Sequence, residues 1–137
     1  MRDVAYVALG SNLGDREQHL SVARDEIGRL PKTKVLAMTP PEETLPFGPP
    51  DQGPYLNQML AIDTELEPHA LLEALQAIEQ RAGRVRKERW GPRTLDLDIV
   101  KFARQVVADD TLVVPHPGLR DRDFWQRELA ALEQTDR

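Results

Sequence analysis

The chain alternates short apolar runs with longer amphipathic stretches, and the two periods predict a strand–helix order. Val4 to Leu9 (VAYVAL) is apolar and partly β-branched, as in a buried strand. A turn at Gly10-Ser11-Asn12-Leu13-Gly14 leads to Asp15, a good helix N-cap with Gln18 three residues on, and Leu20, Ala23, Ile27 and Leu30 recur at helical spacing until Pro31. Lys34 to Thr39 reads as a second strand. The stretch from Thr39 to Pro54 holds six prolines and two glycines and predicts a long loop. Tyr55 to Leu66 reads as a third strand, with Leu60, Ile62 and Thr64 on one face. Glu67-Pro68 opens a helix with proline at its first position, Leu71, Leu72, Leu75 and Ile78 form its apolar stripe, and Gly83 is its expected stop. After a basic loop, Arg84 to Arg93, the segment Leu95 to Phe102 begins with strict alternation, as in a fourth strand. Thr111 to Val114 suits a short edge strand. Asp121 is the expected cap of a last helix running through Phe124, Leu129 and Leu132.

This order, β-α-β-β-α-β, predicts an α+β fold of the ferredoxin-like kind: an antiparallel sheet with helices packed on one face and long loops at the ends of the strands. With 137 residues, 40% of them hydrophobic, one domain over residues 1–137 is expected, and neither an internal repeat nor a linker divides it. The net charge of -5 argues against generic attraction to nucleic acid or anionic membranes. The lack of cysteine removes disulfides, thiolate metal sites and cysteine nucleophiles. There is no signal-like leader and no apolar run near the roughly 18–20 residues of a membrane span, so a cytoplasmic location is expected.

The sharpest chemical feature is Asp96-Leu97-Asp98. In a strand, side chains at i and i+2 share a face with Cα atoms about 6.5–7 Å apart. Leu95, Leu97 and Ile99 can bury the other face, leaving two carboxylates together, a pair that repels unless a cation lies between. Hard oxygen ligands favour magnesium. On spacing alone a solvated strand face explains the pair equally well. The preceding loop changes that balance, because Arg84, Arg86, Lys87, Arg89 and Arg93 place five positive charges in ten residues. Arginine forks bind phosphate oxygens, and carboxylate-held metal beside them has the polarity that polyphosphate transfer needs. The Gly10–Gly14 turn lacks the lysine and spacing of a P-loop and reads as a structural turn. Tyr55 and Asn57 share a strand face and suit a flat heterocycle, although each read alone is more simply structural, and His116 is equally ambiguous.

The chain resembles the 6-hydroxymethyl-7,8-dihydropterin pyrophosphokinase family of folate biosynthesis. Arg84-Val85-Arg86, followed by the run Arg89-Trp90-Gly91-Pro92-Arg93-Thr94-Leu95-Asp96-Leu97-Asp98-Ile99, carries the resemblance. It is supported by Gly10-Ser11-Asn12-Leu13, Phe47-Gly48, Asp51-Gln52, Tyr55-Leu56-Asn57, Val114-Pro115-His116-Pro117, and Arg122 with Phe124. The resemblance implies ATP as co-substrate and two magnesium ions held by Asp96 and Asp98. It implies phosphate contacts from Arg84, Arg93, His116 and Arg122, with Arg84 and Arg93 counted among the catalytic groups beside the two aspartates. It implies an adenosine pocket including Gln76 and Ile99, and a pterin held between Tyr55 and Phe124 with Asn57 and the backbone near Thr44 reading its edge. Arg86 and Trp90 are implied as mobile-loop residues, and Glu79 as an acidic residue near the site. The sequence departs from the family's pattern after Phe124, where Trp125-Gln126-Arg127-Glu128-Leu129 replaces a proline-containing tail, and at Thr111 and Val113.

The expected reaction transfers diphosphate from ATP to the pterin hydroxymethyl group, giving AMP, in a monomer or weak dimer without nucleic-acid or membrane partners. Two alternatives remain open at this point. One is a ferredoxin-like RNA-binding module using the Arg84–Arg93 cluster, which the acidic net charge and the lack of paired aromatics on central strands disfavour. The other is a pyrophosphokinase made inactive by a short tail.

Overall fold

The structure, a computed structural model, describes residues 2–44, 54–82 and 95–135. The basic loop with Arg84, Arg86, Trp90 and Arg93, the expected helix stop at Gly83, and the Phe47-Gly48 and Asp51-Gln52 pieces lie outside the described residues.

The strands are β1 (Asp3–Ser11), β2 (Thr33–Met38), β3 (Glu42–Thr44), β4 (Tyr55–Thr64) and β5 (Asp96–Phe102), with helices α1 (Arg16–Gly28) after β1 and α2 (Pro68–Arg81) after β4. Their sheet has the order β2-β4-β1-β5, every pair antiparallel, and β3 adds to β4. With β3 set aside this is the order that the β-α-β-β-α-β reading predicts. β1 is central and bonded on both sides, so its apolar run from Ala5 to Leu9 is buried on both faces.

Local chemistry sets the helix ends. The Asp15 carboxylate accepts the Gln18 N–H at 3.1 Å, the N-cap that the sequence predicts, and Pro68 occupies the first turn of α2. Leu20, Ala23 and Ile27 of α1 and Leu71, Leu75 and Ile78 of α2 pack on Ala5, Val7, Leu9, Leu60 and Ile62 to form the larger core.

Four features differ from expectation. A third helix, α3 (Asp123–Thr135), covers the opposite face of the sheet, so only α1 and α2 lie on the expected single face. Trp125, Leu129 and Leu132 pack there on Tyr6, Ala8, Met59 and Ala61. Asp121 does not cap this helix: it ends a 3-10 turn (Pro117–Asp121), and Arg122 bridges the two. The proline-rich stretch contains β3, paired through Thr44↔Tyr55 and Glu42↔Asn57. The short strand expected near Thr111 is β7 (Val113–Val114), which pairs with β6 (Val107–Ala108) in a separate hairpin rather than extending the main sheet. Among the described residues no helix is long and apolar enough to cross a membrane.

One core residue of α3 is ionisable. Glu128 is only 3% exposed, and neither carboxylate oxygen has a hydrogen-bond partner. Burial, reinforced by the charge of Glu42 and opposed by Arg127, pushes its carboxyl up to about 8 from the ordinary 4.5. Between these values the folded protein holds a proton that the unfolded chain has lost, so Glu128 makes stability fall as pH rises through that window. Glu128→Gln, which mimics the protonated acid, is expected to match the parent's melting temperature at pH 5 and exceed it by several degrees at pH 9. Parallel thermal melts across pH check this; equal pH profiles for both proteins would contradict it.

Candidate active site

The site is built on the sheet face that α3 covers only in part. Gly10 on β1 pairs with Asn57 of β4 on one side and Asp96 of β5 on the other. Directly paired residues in a sheet share a face, so Asn57, Gly10 and Asp96 form one row. Adjacent strands are about 4.8 Å apart, which sets Asn57 and Asp96 roughly 10 Å from each other across a strip without a side chain. The Gly10 position is tight: a Cβ would come within 3.3 Å of Asn57 Oδ1 and 3.4 Å of a Tyr55 ring carbon. The sequence reading assigned Gly10 to a structural turn and missed it as the floor of this row; a glycine inside a strand end was the available signal.

On the β4 side, Asn57 is buried, and its side-chain amide donates to Thr44 Oγ1. Tyr55 is half-buried and follows the same alternation as Asn57, Met59 and Ala61, the last two of which touch α3. Phe124 enters this face from the first turn of α3 and packs with that cluster, 6.3 Å from Trp125 between ring centroids. The fold therefore puts Tyr55, Asn57 and Thr44 on one side of the glycine strip, with Phe124 on the same face of the sheet.

On the β5 side, Asp96 and Asp98 are both half-buried, with Asp98 paired to Ala8. Their neighbours on β1 along this face, Ala8 and Gly10, are small. The intervening Leu97 turns to the opposite face, and its N–H donates to the Glu79 carboxylate of α2 at 2.7 Å. Glu79 is itself buried, so α2 grips β5 at the residue between the aspartates.

His116 reaches Asp98 through an irregularity in β5. Tyr6 pairs with Lys101 but Val7 with Ile99, which leaves Val100 as the extra residue of a bulge. The Val100 carbonyl accepts the His116 N–H at 2.8 Å and docks the segment before the 3-10 turn against β5. His116 Nδ1 accepts from the Gly118 N–H at 2.9 Å, which assigns the ring proton to Nε2, and Nε2 lies 3.6 Å from Asp98 Oδ1. Arg122 follows, its guanidinium carbon 4.6 Å from the centroid of the Trp125 ring.

Behind Asp98, at the free edge of β5, a cleft of about 270 Å³ is lined by Leu72, Leu97 and Ile99, by Thr111–Val113, and by His116 at its polar end. Asp109 shapes the wall: its Oδ1 accepts the N–H groups of Thr111 and Leu112 at 2.9 Å each, and its other oxygen meets His69 Nε2 of α2 at 2.9 Å. The two backbone N–H groups, followed by His69, hold the Asp109 carboxyl below its ordinary range. Ile99 lines this cleft, whereas Gln76 is exposed on α2 and is not part of the lining.

The arrangement suits hydrated magnesium better than a closed protein cage. Among the described residues no three potential protein ligands converge. Two half-buried carboxylates would leave the remaining positions to phosphate oxygens and water, which is how magnesium is commonly held.

Residues 6–134 match the family model described as 7,8-dihydro-6-hydroxymethylpterin-pyrophosphokinase. The chain belongs to this family. It is similar to proteins named 2-amino-4-hydroxy-6-hydroxymethyldihydropteridine pyrophosphokinase from three bacteria. Against that of Pseudomonas aeruginosa it is 48% identical, over 93% of this chain and 78% of the relative. Identity is 44% with that of Methylorubrum extorquens, covering 93% and 81%. With that of Bacillus subtilis it is 43%, covering 98% and 80%.

Removing the Glu79 grip tests whether α2 sets the aspartate pair. Glu79→Leu leaves the buried Leu97 N–H without this acceptor and is expected to cost about 1–3 kcal/mol. Chemical denaturation measures the loss, and amide exchange at Leu97 should accelerate with it. An unchanged exchange rate at Leu97 would show that the contact does not hold the strand.

Proposed function

We infer that this chain transfers the terminal diphosphate of ATP to the hydroxymethyl oxygen of 6-hydroxymethyl-7,8-dihydropterin, giving AMP and the pterin diphosphate of folate biosynthesis. The observation that carries the reading is the row Asn57–Gly10–Asp96. A surface suited to a flat polar heterocycle and a surface suited to metal and polyphosphate then flank one bare strip roughly 10 Å across, a gap that the ring and its hydroxymethyl arm would span together.

The roles follow from the two sides. Tyr55 and Phe124 stack on the pterin, and Asn57, oriented by Thr44, reads its edge. The apolar cleft against Ile99 takes the adenosine, so the polyphosphate runs from His116 toward Asp98 and Asp96. His116 presents Nε2–H, and Arg122 a guanidinium, to phosphate oxygens. Two magnesium ions, held by Asp96 and Asp98 together with phosphate oxygens, would draw charge from the β-phosphorus and align it with the attacking oxygen. Arg84 and Arg93 are proposed as further phosphate contacts, and Arg86 and Trp90 as residues that close over both substrates. The chain's own contribution is then chiefly positioning and fixed charge.

Phosphorus NMR of the protein with ATP, magnesium and the pterin alcohol tests the reading. AMP appearing with a pterin diphosphate is the expected result; ADP would place the attack on the γ-phosphorus instead, and no turnover would reject the assignment. Asp98→Ala is expected to lower turnover by a factor of about 10³ or more with the melting temperature little changed. Activity near that of the parent would remove Asp98 from the metal site.

A further inference from the structure

Trp125 opens the segment in which this sequence departs from its family, and it has no role in the reaction described above. It is 4% exposed and anchors the first turn of α3 against the sheet. Two of its neighbours belong to the phosphate side of the site. The His116 ring meets it edge to face, with centroids 5.0 Å apart and planes at 87°. The Arg122 guanidinium lies over the indole at 4.6 Å, well within the range of a cation–π contact. The same guanidinium also passes against Gly118, where a Cβ would collide with Nη1. The guanidinium is therefore packed by both an indole ring and a bare stretch of backbone. Gly118 also donates its N–H to His116, so the same residue packs the guanidinium and fixes the imidazole.

We propose that Trp125 is a positioning residue that holds Arg122 and His116 beside Asp98 in the orientation needed to receive the polyphosphate of ATP. A free arginine side chain samples many rotamers and loses that freedom on binding; one already stacked has less to lose. The inference rests on the reading that Arg122 and His116 face the phosphates. It makes a distinction that simple core packing does not: Trp125 matters to ligands that carry phosphates and not to adenosine, which fills the apolar cleft alone.

The test is a double-mutant cycle read by calorimetric titration of the full chain with ATP and magnesium, and separately with adenosine. Trp125→Leu is expected to weaken ATP about tenfold and leave adenosine within about twofold. In an Arg122→Ala background the same change should weaken ATP by less than about threefold, because the group it positions is gone. The His116 ring-proton resonances should shift in Trp125→Leu without ligand, as the indole ring current is lost. If Trp125→Leu does not fold, Trp125→Phe, which keeps a smaller ring, should weaken ATP about threefold and leave adenosine unchanged. Equal losses for ATP and adenosine, or an undiminished loss in the Arg122→Ala background, would reduce Trp125 to core packing and overturn the proposal. Failure of the unaltered chain to bind ATP would reject the functional reading and this inference together, whereas tight ATP binding without coupling would reject the inference alone.

Discussion

Strand β1 is hydrogen-bonded to β4 on one edge and to β5 on the other, and this double pairing is the constraint on which the rest depends. Because register in a sheet moves in whole residues and a slip by one turns every side chain to the other face, the pairing that buries Val7 and Leu9 under α1 and α2 also decides what stands beside Gly10. The core and the site are thus two faces of one register. A shift of β5 that kept its hydrogen bonds would drive Asp96 and Asp98 into the larger core and expose Leu97 and Ile99. The apolar partners of Leu97 and Ile99 therefore protect the placement of the aspartates as firmly as any contact the carboxylates make themselves.

The bulge at Val100 shows how the same strand serves a second purpose. Regular pairing would give β5 a uniform edge. The extra residue lets Val100 fill the small core under Trp125 while its carbonyl takes the His116 N–H. His116 comes from a segment about twenty residues later in the chain, yet it arrives within reach of Asp98 because one unpaired residue redirects the edge. Earlier in β5, Glu79 of α2 captures the Leu97 N–H. Between them the two contacts fix the strand at the residue between the aspartates and at the bulge beyond them.

How much of this was legible in the sequence depends on the range of the forces involved. The Asp15–Gln18 cap, proline at the start of α2 and the alternation of Leu95 to Ile99 are local, and each element appears as predicted. The pairing of Asp96 and Asp98 on one face was legible for the same reason. β3 was not: Glu42–Thr44 sits between prolines with no apolar alternation and is a strand only because β4 offers it an edge. The contact of the Thr44 hydroxyl with the Asn57 amide was hidden with it, the resemblance having implied only the backbone near Thr44. The face chosen by α3 was likewise a tertiary matter, as Leu129 and Leu132 suit either side of a sheet. Gly10 was read as a turn because the sequence does not show that its neighbours across two strands are Asn57 and Asp96. The family resemblance supplied His116 and Arg122, whose placement local patterns do not encode.

The hydrogen bonds of His116 bear on how the hydroxyl proton leaves. Nδ1 is taken by the Gly118 N–H, so the available nitrogen is a donor aimed at Asp98 and the proposed phosphate path. In that state the imidazole cannot also accept a proton from the pterin alcohol. Asp96 and Asp98, as metal ligands, would have their oxygen lone pairs committed to the cation. Phosphoryl transfer through a loose transition state needs little assistance to the nucleophile before the leaving group has begun to depart. A site rich in fixed donors and cation ligands, with no acceptor placed to act as a strong base among its described residues, suits that sequence of events: charge on the departing AMP is stabilised first, and the hydroxyl proton is lost late, to solvent or to a phosphate oxygen.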